Sequence, residues 1–173
     1  MSNVVFSNLL RFFGLLIVQV LIFKKIVIGG SSFNYVSIII YPLFIMLLPL
    51  RTPHSVLVLL GFVLGILVDA FYDSYGVHAS ASIFVGFIRP YVLKFIEPKG
   101  GYTQNSSPTK RRLGPSWFLI YSSIILFAHL FFYFSVEAFT FYYIGEIILK
   151  TVSSFVISII IITLYQYIFD PLE

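Results

Sequence analysis

The chain alternates between long apolar runs and short polar breaks. Within a run the apolar residues are continuous rather than alternating, which predicts helices and not the strands of a closed barrel. Six candidate spans follow: Val4–Phe23, Phe33–Leu50, His54–Tyr72, Val77–Ile96, Ser116–Val136 and Ile148–Phe169. Gly29-Gly30-Ser31-Ser32 interrupts the chain before the second span. Thr52-Pro53 suits an N-cap followed by proline at the first helical position. Asp73-Ser74-Tyr75-Gly76 is a tight turn, so the third and fourth spans are expected to form an antiparallel helical hairpin. The hydrophilic stretch Glu97–Pro115 is rich in Gly, Pro and Ser and reads as a loop. Tyr41-Pro42 and Leu48-Pro49 put two prolines in the second span, where they bend a helix and free carbonyls that neighbours must satisfy.

Composition sharpens this picture. Of 173 residues 59% are apolar and only 10% charged, and the mean hydropathy is +0.99. A soluble domain carries about 25% charged residues, so a water-soluble globule is excluded, and so is disorder. Six spans of about 20 residues occupy about 120 positions and leave about 53 for connections. A single integral membrane domain, 1–173, is expected. Absence of cysteine excludes disulfides, thiolate catalysis and cysteine-based metal sites.

The net charge is +4, too small a basic excess for nucleic-acid binding. Its distribution is a topology signal instead. With a cytoplasmic N-terminus, the inner loops carry Arg51, Lys99, Lys110, Arg111 and Arg112, with Lys94 adjoining, against Lys24 and Lys25 outside. Both termini are therefore expected inside, with loop 97–115 cytoplasmic. The first run is read as a retained span, since Arg11 interrupts it and no A-x-A site follows. Trp117 and Tyr121 are placed near the inner interface, and Tyr142 and Tyr143 near the outer one. Segment Glu137–Glu146 is expected to lie along the outer surface, and Glu146 and Lys150 are spaced to pair on one helix face.

A charge at the centre of a membrane helix costs about 2.5–3.5 kcal/mol and marks function by default. Lys94 and Lys150 lie near span ends and can snorkel. Arg11 suits an interfacial start to the first helix. Gly61, Gly65 and Asp69 are spaced by four and form one stripe; Ala79, Ser82, Gly86 and Arg89 form another on the next span. Small residues at these spacings let helices approach closely, so the two stripes are expected to pack together. Asp69 and Arg89 differ in height by roughly 13 Å at 1.5 Å per residue, which argues against a direct ion pair. Asp69 is better placed to meet His78, Ser80 or the free N–H groups opening the fourth helix. Arg89 lies in the inner half, followed by Pro90. His54, His78 and His129 fall in different spans without metal-ligand spacing. No nucleophile motif, phosphate loop or paired intramembrane acid is present, so no catalytic, cofactor or metal site is expected.

The stretch Gly61–Pro90, GFVLGILVDAFYDSYGVHASASIFVGFIRP, resembles the signature of the rod-shape-determining MreD family through Gly65, Asp69, Phe71, Gly76, His78, Ala79, Ala81, Arg89 and Pro90. QVLIF at Gln19–Phe23 and the spacing from Tyr41-Pro42 to Pro49 are also similar. The likeness covers roughly the first hundred residues; the second half agrees in span number and hydropathy. The resemblance implies a six-helix membrane protein of the bacterial inner membrane, similar in fold to the substrate-binding subunits of energy-coupling-factor transporters. It implies a non-enzymatic scaffold of the cell-elongation machinery, acting in cell shape and lateral peptidoglycan synthesis. Its partners would be MreC and, indirectly, MreB, RodA and a class B penicillin-binding protein. Gly61, Gly65, Asp69, Gly76, His78, Ser82, Gly86, Arg89 and Pro90 are then its helix-packing and interaction positions. The alternative is a transport subunit binding a small solute beneath its outer loops, suggested by the bent second span and by Asp69 near the outer face. The first span lacks the small A-x-x-x-A face such subunits use for docking.

Overall fold

Helix punctuation is strongest around residues 50–77, and there the helices begin and end where the local signals place them. A computed structural model describes residues 2–26, 36–102 and 107–169. Its helices are α1 (Ser2–Leu21), α2 (Leu43–Leu47), α3 (His54–Tyr72), α4 (Val77–Phe95), α5 (Lys110–Leu113), α6 (Pro115–Ala138) and α7 (Ile144–Ile168). A 3₁₀ turn at Phe23–Lys25 follows α1, and another at Phe141–Tyr143 joins α6 to α7. No β-strand forms among the described residues. Gly29-Gly30-Ser31-Ser32 lies outside them, as does the first part of the second candidate span.

Among the described residues four helices are long and apolar enough to cross a membrane: those at Val5–Lys25, His54–Tyr72, Pro115–Ala138 and Phe141–Ile168. α4 matches α3 in length, 19 residues each, but carries His78, Arg89 and Lys94 among its serines. Outward faces are apolar. Leu9, Phe13, Ile17 and Leu21 line α1, and Val152, Val156, Ile160 and Leu164 line α7, all exposed and each set spaced by four. Polar residues lie inside, among them Gln19, His129, Ser154 and Ser158. This inversion suits a solvent of lipid tails.

The second candidate span is not a helix where it is described. Residues 37–40 form no helix, and the alternating sides of their hydrogen bonds mark extended chain; α2 lasts five residues, and Leu48 and Pro49 end it. Pro42 starts α2 with a helical φ of -60°, and the β-branched run before it favours extended backbone. Yet Ile38–Leu48 is buried throughout. The segment threads the centre of the bundle, touching α1, α3, α4 and α6. Extended backbone at membrane depth is tolerated only inside protein, where other groups satisfy its N–H and C=O.

Side chains of the long helices supply those partners. Gln19 on α1 accepts the Ile40 N–H at 2.9 Å and donates to the Ile38 carbonyl at 3.0 Å. Ser154 and Ser158, one turn apart on α7, accept the N–H groups of Ser37 at 2.9 Å and Ile39 at 3.0 Å. Alternate N–H groups point one way along extended chain, and residues four apart share a helix face, so the two repeats match. Gln19 and its neighbour Tyr72 are also joined, Nε2 donating to the phenol oxygen at 2.8 Å.

α3 and α4 form the expected hairpin, with glycines at the contact. A Cβ on Gly61 would lie 2.6 Å from the Ser82 carbonyl oxygen, one on Gly65 2.6 Å from that of His78, and one on Gly86 2.7 Å from that of Leu57. Only hydrogen fits at these three places. α4 continues through Pro90 to Phe95. At the opposite end of the bundle from the hairpin turn, Tyr102 donates to the Leu93 carbonyl at 2.7 Å and its ring meets Trp117 edge-on. Burial, helped by the nearby Glu97 charge, pushes the Tyr102 phenol up to about 12.

Candidate functional site

Two buried polar clusters flank α4, one at each end. The first grows from the hairpin turn. Asp73 ends α3 with a φ of 55°, and Gly76 opens α4 with a φ of 82°, a left-handed conformation that glycine adopts freely. The reversal sets Asp69, one turn before the end of α3, against the first N–H groups of α4. Oδ1 accepts the His78 N–H at 3.0 Å and Oδ2 the Ala79 N–H at 2.9 Å. Ser74 donates its hydroxyl to Oδ1 at 2.5 Å, and His78 Nδ1 lies 3.1 Å from the same oxygen. A carboxylate from one helix thus caps the next, where the helix dipole favours an anion.

His78 Nδ1 also faces the Ser74 hydroxyl at 2.9 Å. One ring nitrogen therefore meets both serine and aspartate. A nucleophilic relay requires the two nitrogens on different partners, so this trio is a cap and not a catalytic triad. The ring packs between Tyr72 and Tyr133, each centroid 4.8 Å away. Beside it opens a cavity of about 280 Å³ lined by Lys24, Tyr72, Ser74, His78, Tyr133 and Glu137. Lys24 and Glu137 bring opposite charges to its rim; Lys24 also lies 3.8 Å from Asp73, and Glu137 3.6 Å from Lys150. Lys150 thus pairs with Glu137 across the α6–α7 turn, where its spacing had suggested Glu146.

Deeper in the bundle, Tyr41 and His129 are joined at 3.0 Å. His129 Nδ1 faces the Ala81 carbonyl at 3.3 Å. A carbonyl only accepts, so in the neutral ring Nδ1 carries the proton and Nε2 accepts the Tyr41 hydroxyl.

The second cluster is built on Arg89, which is fully buried. Its Nε donates to the Tyr121 hydroxyl at 3.0 Å, and Nη2 to the carbonyl of Leu48, with Met46 at 3.4 Å. Tyr121 donates onward to the Met46 carbonyl at 3.0 Å. The end of α2 and the approach to Pro49 leave these carbonyls without helical partners, and the guanidinium fork gathers them. Tyr121 is accordingly a buried strut and not the interfacial anchor expected of it.

The sequence-predicted positions divide between these places. Asp69, Gly76 and His78 form the first cluster. Gly61, Gly65, Ser82 and Gly86 form the seam between the helices, with Ser82 donating to the His78 carbonyl at 2.8 Å. Arg89 makes the second cluster, about 15 Å along α4 from Ala79, and Pro90 lies half-buried beside it. Asp69 and Arg89 do not meet. Gln19, Tyr121, Ser154 and Ser158 escaped sequence reasoning as partners of the broken segment, as did the pairing of its own Tyr41 with His129. Their signal was polarity at helical spacing inside apolar runs. Among the described residues no three His, Asp or Glu side chains are grouped to hold a metal ion. Comparison of the chain with protein families, with curated proteins and with solved structures finds no match.

Proposed function

We propose that this chain is a non-enzymatic scaffold of the bacterial inner membrane, working in the cell-elongation complex as MreD-family proteins do. It binds an MreC-like partner and through it serves MreB, RodA and a class B penicillin-binding protein in lateral peptidoglycan synthesis. One observation carries the reading. The residues on which the resemblance rests are committed to architecture: Asp69 caps α4, Gly65 admits the backbone of Ala79, and Arg89 holds the carbonyls of Met46 and Leu48. Such a rigid frame leaves its lipid-facing flanks for a partner helix. The partner contact falls on those outer faces, because both small-residue stripes are used within the hairpin. The basic bias of loops 51 and 97–115 supports cytoplasmic termini. Co-expression with an MreC-like protein tests this: the two should co-purify, and depletion of this chain should widen rod-shaped cells. Unchanged width together with separate elution would defeat the proposal.

The cavity beside His78 favours a second reading, a subunit that binds a small polar solute. Its lining includes a cation, a carboxylate and phenols, a set suited to orienting a small molecule. Native mass spectrometry of the purified protein tests it. A stoichiometric solute lost on Tyr133→Phe supports this reading, and an empty protein from every preparation refutes it.

A further inference from the structure

His78 uses only one of its two ring nitrogens on the protein. Nδ1 lies 3.1 Å from Asp69 Oδ1 and 2.9 Å from the Ser74 hydroxyl oxygen. Ser74 gives its single hydroxyl proton to Asp69, so the proton between Nδ1 and these two oxygens belongs to Nδ1. In the neutral ring Nε2 is then a bare acceptor. It has no hydrogen-bond partner among the described residues, although the side chain is only 1% exposed. Among those residues the fully enclosed polar side-chain atoms that lack a partner all belong to Gln166. Nε2 therefore reaches open space, and the space that His78 lines is the cavity of about 280 Å³.

The rest of the lining narrows the occupant. The volume lies just below the range of about 300–1,000 Å³ that holds drug-sized ligands, so the solute is small. Both charges at the rim are already matched within the protein. Lys24 donates to the Phe71 carbonyl and faces Asp73, and Glu137 faces Lys150. An ionic solute would lose hydration and meet no unmatched counter-charge. Phe23, Ile26, Ile38 and Ile39 supply apolar wall. A neutral molecule with an apolar body and one N–H or O–H group suits both the wall and the open nitrogen.

We propose that the cavity takes a small uncharged solute, held by a hydrogen bond that it donates to His78 Nε2. Asp69 and Ser74 are positioning residues: they fix the ring and keep the accepting nitrogen toward the solute. Asp69 thus caps α4 and sets a histidine tautomer with the same carboxylate. This inference rests on the solute-binding reading above and gives that solute its chemical class.

The test uses the full purified chain with nitrogen-15 histidine and three probes built on one ring: neutral benzamide, anionic benzoate and cationic benzylamine. Benzamide should bind and move the Nε2 resonance of His78, and the two ions should leave it in place. His78→Asn keeps an N–H where Nδ1 lies and lacks Nε2. Its missing signals identify the resonance, and its affinity for benzamide by equilibrium dialysis should fall about tenfold, as loss of one hydrogen bond implies. Tyr75→Phe, on the exposed hairpin turn, should bind as wild type. Circular dichroism establishes folding; should His78→Asn not fold, the wild-type resonance decides alone. Benzoate or benzylamine binding as tightly as benzamide would leave a solute site but overturn its neutral class. An unmoved Nε2 resonance, or undiminished affinity in His78→Asn, would overturn the hydrogen bond. Binding of none of the three overturns the proposal, and an empty protein from every preparation removes the solute-binding reading beneath it.

Discussion

Oδ2 of Asp69 accepts the backbone N–H of Ala79 at 2.9 Å, so the last turn of α3 closes the first turn of α4. The same carboxylate takes the His78 N–H and the Ser74 hydroxyl. Asp69→Ala leaves these donors buried and unmet. Its expected cost is about 2–3 kcal/mol, from losing a charge-assisted cap. Asp69→Asn keeps one acceptor but turns an amide N–H₂ toward a donor, and should fall between. Thermal unfolding in detergent should rank wild type above Asn above Ala; equal midpoints would remove the cap from the account.

Arg89 is expected to matter more. Its guanidinium satisfies carbonyls that the broken segment cannot pair itself. Arg89→Met should cost about 3 kcal/mol or more, since several acceptors lose their donor at once. Arg89→Lys should recover only part, having no planar fork. Tyr121→Phe, which removes one donor to Met46, should cost about 1 kcal/mol. Denaturation in mixed micelles measures all three on one scale.

Gly65 and Gly14 make a matched contrast on two helices. Gly65→Ala drives a methyl into the Ala79 backbone and is expected to cost about 1–3 kcal/mol, because backbone cannot step aside as a side chain can. Gly14→Ala meets nothing and should be neutral or slightly stabilising through helix propensity. Similar melting of the two variants would contradict the close approach of α3 and α4.

Trp117 is the sole tryptophan and packs against Tyr102 at 5.9 Å, so its fluorescence reports on the loop. Tyr102 is held up at about 12, against an ordinary value of 10.0. A raised folded value means the neutral phenol favours the native contact. The contribution is complete below pH 10 and disappears as pH climbs through about 12. Trp117 emission should therefore change with a midpoint near 12, and Tyr102→Phe should abolish that transition. A midpoint at 10 would place the phenol in free solvent.

Legibility in the sequence follows from the range of the signals. α3 begins and ends at His54 and Tyr72 as the sequence predicts, because Thr52-Pro53 and Asp73–Gly76 are local stops that need no tertiary information. The depth argument likewise separates Asp69 from Arg89 by counting residues alone. The second span misleads because periodicity cannot tell a fully buried extended run from a buried helix. Isoleucines 38–40 and Pro42 leaned toward extended chain, but their partners lie on distant helices. Ser154 and Ser158 acquire meaning only once the segment is seen against α7. The cavity beside His78 was equally out of reach, since Lys24 after α1 converges with Tyr133 and Glu137 of α6 from more than a hundred positions away.

The threading of residues 37–40 through the bundle also sets an order of assembly. Ser37 and Ile39 take their acceptors from residues 117 and 119 positions later. A ribosome must make α7 before those amides have anywhere to go inside the bilayer. Until then the segment has to wait at the aqueous boundary or in the care of the insertion machinery. α7 is thus the bolt that locks a piece made long before it, and a chain cut short ahead of α7 would strand that piece in oil.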